Sequence, residues 1–423
     1  MSKKEAQLIV EHAKQLITAK GHQDRPAVGP EMEDLGIIED GSIAILNGKI
    51  VSVGKSNELL SEYTAPERID ATGKVVTPGF VDAHTHFVFA GSRETEFELK
   101  IKGAGYMEIL QRGGGILRTV RDTRAASKNE LLRICRERCK NLLLHGTTTV
   151  EAKSGYGLTL NDEIKSLEVI KQLDGEGPIN LIPTFLGAHA VPPEFQGKTH
   201  EYVAAICEEW IPEVAKNQLA SFCDVFCEKG VFEVEDSRRI LLAGREAGLL
   251  PRIHADEFYP LGGAELAAEV GAVSADHLLY ASATGLAQMR KSGVIATLLP
   301  AAPLTLMLDK YADARRMISE GIAIALGSDL SPSCWLENHQ LLLALACYKL
   351  RMTPAEALTA ATINAAHSIR KAEEIGSIEL GKKADILVLN APDFRFLAYR
   401  LGLNMVETVV KNGKIAARNG RLT

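Results

Sequence analysis

No apolar stretch in this 423-residue chain approaches the roughly 18–20 residues a helix needs to cross a bilayer. The opening MSKKEAQLIVEHAKQL carries charge in every turn and lacks an apolar core followed by small residues. It reads as no signal peptide, and the chain as cytoplasmic. Neither sign of charge is in large excess: 48 Lys+Arg stand against 54 Asp+Glu, a formal net charge of -6. That balance argues against nucleic acid or an anionic membrane as the main partner and leaves a small molecule. Cysteine is scarce and odd in number, seven in all, which does not suggest a disulfide framework. Cys135 and Cys139 share a helical face with Leu131 and Leu142, while Cys223 and Cys227 lie in an apolar strand pattern that spreads their sulfurs apart. Both pairs read as core rather than as zinc ligands.

What is present suits a large soluble barrel with a smaller attachment: 46% hydrophobic and 24% charged residues. From about residue 75, short β-rich runs alternate with helical patterns. The runs are VVTPGFVDAH, TTTVEAKSG, INLIPTFLGAHA, SFCDVFCEKG, LPRIHADEF, AVSADHLLY, GVIATLLP and GIAIALGSDL. Several of the intervening helices end at Gly. Eight strands, each followed by a helix, predict an α/β fold of (β/α)8 TIM-barrel type over 77–377. The two ends resemble each other. GSIAILNGKIVSVG and VETVVKNGKIAARNG each flank an Asn-Gly pair with alternating β-formers, a strong hairpin signal. They predict a composite β-domain from 1–76 plus 378–423, with a further strand from ADILVLN and no chemistry of its own.

The chemistry gathers at strand ends. In Asp82-Ala83-His84-Thr85-His86 the two imidazoles sit two residues apart and project to one face. An isolated His-x-His recurs by chance, but this one falls at the C-terminal end of a barrel strand, where barrel active sites are built. His254 ends the fifth strand and Asp329 the eighth. Singly, these read as a hydrogen-bonded interior histidine and a turn residue. Together with His84 and His86 they make a site for one zinc or iron ion that would acidify a water. Glu257, three residues after His254, is placed as proton shuttle, against the plainer reading of a surface carboxylate. His277, ending the sixth strand, is placed to polarise the attacking water or developing oxyanion. Asp329 is a second candidate for taking the water's proton. A second metal would need a bridging ligand at the end of strand four, where Glu228 and Lys229 stand; Lys229 falls one step late and reads as solvated.

With these strands placed, the chain resembles the imidazolonepropionase family of the amidohydrolase superfamily over essentially its whole length. The segments that carry this are PGFVDAHTHFVFAGSRETEF, GAGYMEILQRGGGI, GTTTVEAKSGYGL, LGAHAVP, DVFCEKGVF, HADEFYPLGGAELAAEVGAVSADHL, LGSDLSP and MTPAEALTAATINAAHSIR. The resemblance implies zinc- or iron-dependent hydrolysis of 4-imidazolone-5-propanoate to N-formimidoyl-L-glutamate, and a homodimer. It also implies substrate contacts at Arg93, Tyr106, Tyr156, His189, Glu257, Ser331 and Ser333, Arg93 facing the propanoate carboxylate. The chain departs from the family's Asn-Pro-Gly after the metal aspartate, with Leu330-Ser331-Pro332-Ser333. It departs again after strand seven, where Pro300-Ala301-Ala302-Pro303 replaces consecutive threonines. Two other readings stand beside this one: a related amidohydrolase or deaminase for another small nitrogenous acid or heterocycle, and a metal-containing binding protein without catalysis.

Overall fold

The computed structural model describes residues 3–103 and 114–423. The eight expected barrel strands are present and parallel, in consecutive order. They are β1 (Phe80–Thr85), β2 (Thr147–Lys153), β3 (Asn180–Ala188), β4 (Phe222–Cys227), β5 (Leu250–Ala255), β6 (Ser274–His277), β7 (Ile295–Leu298) and β8 (Ile324–Leu326). Closure falls between the chain just past β8 and β1. The Asp329 N–H donates to the His84 carbonyl at 3.0 Å, and the His86 N–H donates to the Leu330 carbonyl at 2.9 Å. Gly327 permits this approach, because a Cβ there would lie 2.7 Å from His84 Cβ and 2.8 Å from Leu299 Cδ2. The seam that closes the barrel therefore runs through three of the expected metal ligands.

The surrounding helices begin and end where the side chains direct. Thr159 caps Leu160–Glu176 by accepting the Asp162 N–H, and Ser282 caps Ala283–Ser292 by accepting the Gly285 N–H. Gly271 and Gly293 end their helices at φ +67 and +73. Cys135 and Cys139 sit buried on the helix Lys128–Leu144, and Cys223 and Cys227 are buried in β4, as core. The N-terminal end of the barrel is stopped by apolar packing of Val81, Ala83, Ile295 and Ala325 against Ile363, Ala365 and Ala366.

The termini do pair with each other, but as two main sheets. One of seven strands runs from Arg421–Leu422 through Lys414–Arg418, Val406–Lys411, Ile386–Leu389, Val75–Pro78 and Gln15–Ile17 to Ile37–Ile38. The other has four strands, with Lys49–Lys55, Gly41–Leu46, Leu8–Ala13 and Glu67–Asp70 in order. Both Asn-Gly pairs make tight hairpins with two successive positive φ values, Asn47 (+51) with Gly48 (+76) and Asn412 (+49) with Gly413 (+75). The two turns touch: a Cβ on Gly413 would lie 2.8 Å from Gly48 Cα. One expectation needs correcting. The run VVTPGFVDAH is two strands, since Val75–Pro78 pairs antiparallel with Ile386–Leu389 in the terminal sheet and only Phe80 onward enters the barrel. Gly79 makes the break, where a Cβ would meet the Thr148 side chain at 2.3 Å.

Candidate metal centre

β1 ends in an alternation that places His84 and His86 in the mouth, and β5, β6 and the turn after β8 bring His254, His277 and Asp329 to them. His86 Nε2 lies 3.2 Å from His254 Nε2. Asp329 Oδ1 lies 3.4 Å from His86 Nε2 and 3.6 Å from His84 Nε2. Two overlapping sets, His84/His254/His277 and His84/His86/Asp329, each present ligand atoms within 4.8 Å of one another. The backbone is bent to achieve this. Asp329 has φ +56 and His277 φ +73, a left-handed conformation that costs such residues about 1–3 kcal/mol each.

Two of the three imidazoles are oriented from behind, while His86 Nδ1 is buried without a partner. His84 Nδ1 bonds Asp276 Oδ2 at 2.6 Å, and His254 Nδ1 lies 3.1 Å from Asp224 Oδ2. The Nε2 atoms therefore face the common space, and His84 Nε2 is buried with no hydrogen-bond partner. Both ring nitrogens of His277 are likewise buried and unbonded. Burial, then the charge of nearby Lys153, hold His84 well below the usual imidazole range; burial and His254 do the same to His86. Burial brings His277 down to about 3. Neutral imidazoles with unbonded nitrogens beside one carboxylate fit a zinc- or iron-type ion in both donor chemistry and proton state.

Glu257 stands at the edge of this cluster, its Oε2 3.6 Å from His277 Nε2. Burial, with the charges of Asp329 and Glu228, raises its carboxyl well above the ordinary range. Its neighbours on both sides are pinned. Asp256 takes four backbone N–H groups, from Leu261, Gly262, Gly263 and Ala264 at 2.9–3.1 Å. Glu228 takes the Phe258 N–H at 2.8 Å. Lys229 is exposed over the Tyr259 ring, where the sequence placed it.

The residues assigned to substrate contact divide. His189 stacks on His86 with centroids 4.5 Å apart, and the Tyr156 ring lies 5.9 Å from His86. Both line the metal pocket. Arg93 points its Nε and Nη2 at Glu96, 2.8 and 2.7 Å away. With Ser333, Lys100 and Trp335 it lines a separate cavity of about 240 Å3, whose lining includes none of the histidines or Asp329. Ser331 is buried and its hydroxyl accepts the Cys334 N–H at 3.2 Å, which makes it a turn residue as well. Tyr106 lies outside the described residues. After β7 the Pro-Ala-Ala-Pro run forms the helical turn Ala301–Thr305, with Ala301 and Ala302 buried as apolar packing.

The sequence reading passed over the supports. Asp276, Asp224, Lys153, Glu151 and Arg252 are all buried charged residues on barrel strands. Glu163 closes the loop that carries Tyr156 by accepting N–H groups of Gly155, Gly157 and Leu158 at 2.8–2.9 Å. A charged residue inside an otherwise apolar barrel strand was the available signal. Asp276 carries it beside His277, and Glu151 and Lys153 carry it at i and i+2.

The Amidohydrolase family matches residues 256–416. An imidazolonepropionase of Brevibacillus brevis is 54% identical over 418 residues, covering 98% of both chains. One of Geobacillus kaustophilus is 51% identical over 420 residues, covering 98% of this chain and 99% of the other. Among solved structures, a zinc-bound adenosine deaminase of Xanthomonas campestris superposes with a TM-score of 0.74 at 18% identity, covering 100% of this chain and 95% of that one. E. coli guanine deaminase gives 0.71 at 16% identity, covering 97% and 99%. Those two likenesses speak to the barrel alone. Full-length identity above half, with the His-x-His, the fifth-strand histidine and the eighth-strand aspartate brought to one point, means that the chain belongs to the imidazolonepropionase family.

Proposed function

We propose that this chain hydrolyses the ring amide C–N bond of 4-imidazolone-5-propanoate, giving N-formimidoyl-L-glutamate in histidine degradation. One zinc or iron ion is held by His84, His86, His254 and Asp329. The observation that carries the reading is the convergence of these four side chains beside the buried Glu257, in a chain of this family. The catalytic body is the barrel over 77–377, with 1–76 and 378–423 supporting it, and the protein is cytoplasmic.

When bound, the ion supplies Lewis acidity and makes water a stronger acid. The protein does the rest. Water adds to the ring carbonyl carbon, giving up a proton to the Asp329 carboxylate. His277 donates a hydrogen bond to the oxygen as charge develops there. Glu257 gives its carboxyl proton to the ring nitrogen as the C–N bond breaks, so the nitrogen departs neutral. His189 and Tyr156 hold the heterocycle against His86. Arg93, with the Ser333 hydroxyl, receives the propanoate carboxylate.

An assay panel of imidazolonepropanoate, formimino-glutamate and purines tests this. Hydrolysis of the first, abolished by chelation and restored by zinc or iron, is the expected result. Inertness toward it with turnover of a purine would move the chain to the deaminases. Chelation that lowers stability, with no turnover of any substrate in a metal-loaded form, would leave a binding protein.

A further inference from the structure

Two buried cations sit behind the metal centre in places the reaction itself does not require. Lys153 Nζ, on β2, lies 2.9 Å from Glu151 Oε1 and 2.9 Å from Asp224 Oδ2. Asp224, on β4, is the carboxylate 3.1 Å from His254 Nδ1. Arg252, on β5, places Nη2 3.1 Å from Asp276 Oδ2 and 2.8 Å from the Ala83 carbonyl. Asp276, on β6, is the carboxylate bonded to His84 Nδ1. The side chains of Lys153, Glu151, Asp224, Arg252 and Asp276 are all fully buried.

From this geometry we infer that Lys153 and Arg252 are positioning residues for the metal centre. Lys153 acts through Asp224 on His254, and Arg252 acts through Asp276 on His84. The inference rests on the metal reading above and extends it to the charges behind the ligands. Three arguments support it. A carboxylate that accepts Nδ1–H leaves Nε2 as the unprotonated nitrogen, which is the form a metal ligand needs. Such a carboxylate, fully buried, keeps its charge at lower cost with a fixed cation beside it, and the Ser274 hydroxyl on Asp276 and the Val225 N–H on Asp224 help to aim it. Finally, the cluster has one more carboxylate than cations, so its residual negative charge lies behind the very atoms that face the ion. An apolar core would fill the same volume without the desolvation cost of five buried charges. That cost is explained if the charges serve the ligands.

The experiment uses the full chain and its K153M, K153R, R252M and D224N variants. Each is loaded with cobalt(II) as a spectroscopic probe and titrated with a chelator, and the melting of the metal-free form is recorded. K153M and D224N are expected to weaken ion binding by about 10- to 100-fold and to shift the cobalt d–d bands. K153R should recover most of both, and R252M should behave like K153M. D224N keeps the volume of the wild-type side chain and carries the test if K153M does not fold. Unchanged affinity and an unchanged cobalt spectrum in D224N would overturn the proposal. So would a K153M loss matched by unfolding of the metal-free protein and not restored by K153R. Failure of the wild-type chain to take up a stoichiometric ion would instead overturn the metal reading, and the inference with it.

Discussion

Glu257 belongs to neither ligand set, and burial, with the charges of Asp329 and Glu228, raises its carboxyl well above the ordinary range. Replacement by Gln keeps the volume and removes the transferable proton. We expect E257Q to lower kcat by about 10²- to 10⁴-fold with ion content unchanged, measured by steady-state assay and metal analysis on one preparation. His339 gives a second prediction at this scale, away from the ligands. Its ring stacks on Phe80 with centroids 5.2 Å apart, its Nε2 has no partner, and burial lowers it to about 3. A folded-state value below the ordinary 6.5 means the unfolded chain binds the extra proton, so stability is lost as pH falls from about 6.5 toward 3. Between pH 6.5 and 5.5 this one ring contributes about 1 kcal/mol of the loss. His84, His86, His189 and His277 act in the same sense. Asp82, raised to about 7 by burial, acts in the opposite sense from about pH 4 to 7. H339F should keep the stacking and flatten the fall in Tm across pH 6.5–5.5. A profile as steep as that of the wild type would count against the assignment.

At the scale of elements, the closing seam couples fold to site. β1 and the chain after β8 meet through the backbone of His84, His86 and Asp329, so an error in closure is an error in ligand geometry. Ala at 327 brings a methyl within 2.7 Å of His84 Cβ and should destabilise by about 1–3 kcal/mol through overpacking. G327A should also lower ion content, since His84 must shift. A thermal melt and a metal analysis check the two together, and a loss of stability with full ion content would show the seam to be merely structural. The loop after β2 illustrates the same coupling. Glu163, a residue of the following helix, reaches back to tie three backbone N–H groups around Tyr156.

Across the whole molecule, a buried ion pair inside the seven-stranded terminal sheet reaches the barrel through one further hydrogen bond. Lys411 Nζ lies 2.5 Å from Asp385 Oδ2 and 2.7 Å from Asn180 Oδ1, the latter at the start of β3. Removing one partner leaves the other charge buried and alone, a loss of about 3–5 kcal/mol. K411M should therefore unfold at markedly lower denaturant, and D385N added to it should restore part of the loss. Equal stability of single mutant and wild type would mean that this ion pair contributes nothing and that apolar packing holds the sheet. No helix among the described residues is long and apolar enough to cross a membrane.

Much of this was legible without coordinates. The alternation of β-rich and helical runs specified eight strands because each needs its own apolar period and its own turn. The His-x-His spacing, with His254 and Asp329 at later strand ends, was enough to nominate the ligands. Asn-Gly at both ends announced two hairpins, since few other pairs tolerate two successive positive φ values. What sequence could not supply is anything that depends on which strand faces which. The pairing of Asp224 with His254 and of Asp276 with His84 is set by barrel register, not by spacing along the chain. The meeting of the two hairpin turns, 365 residues apart as Gly48 and Gly413, likewise exists only after closure. The break at Gly79 was hidden because both halves of VVTPGFVDAH have strand character, and only contact with Thr148 decides where one sheet yields to the other. The residue types that make the chemistry are local in the sequence. Their proton states and aim are properties of burial, which arise only when the barrel shuts.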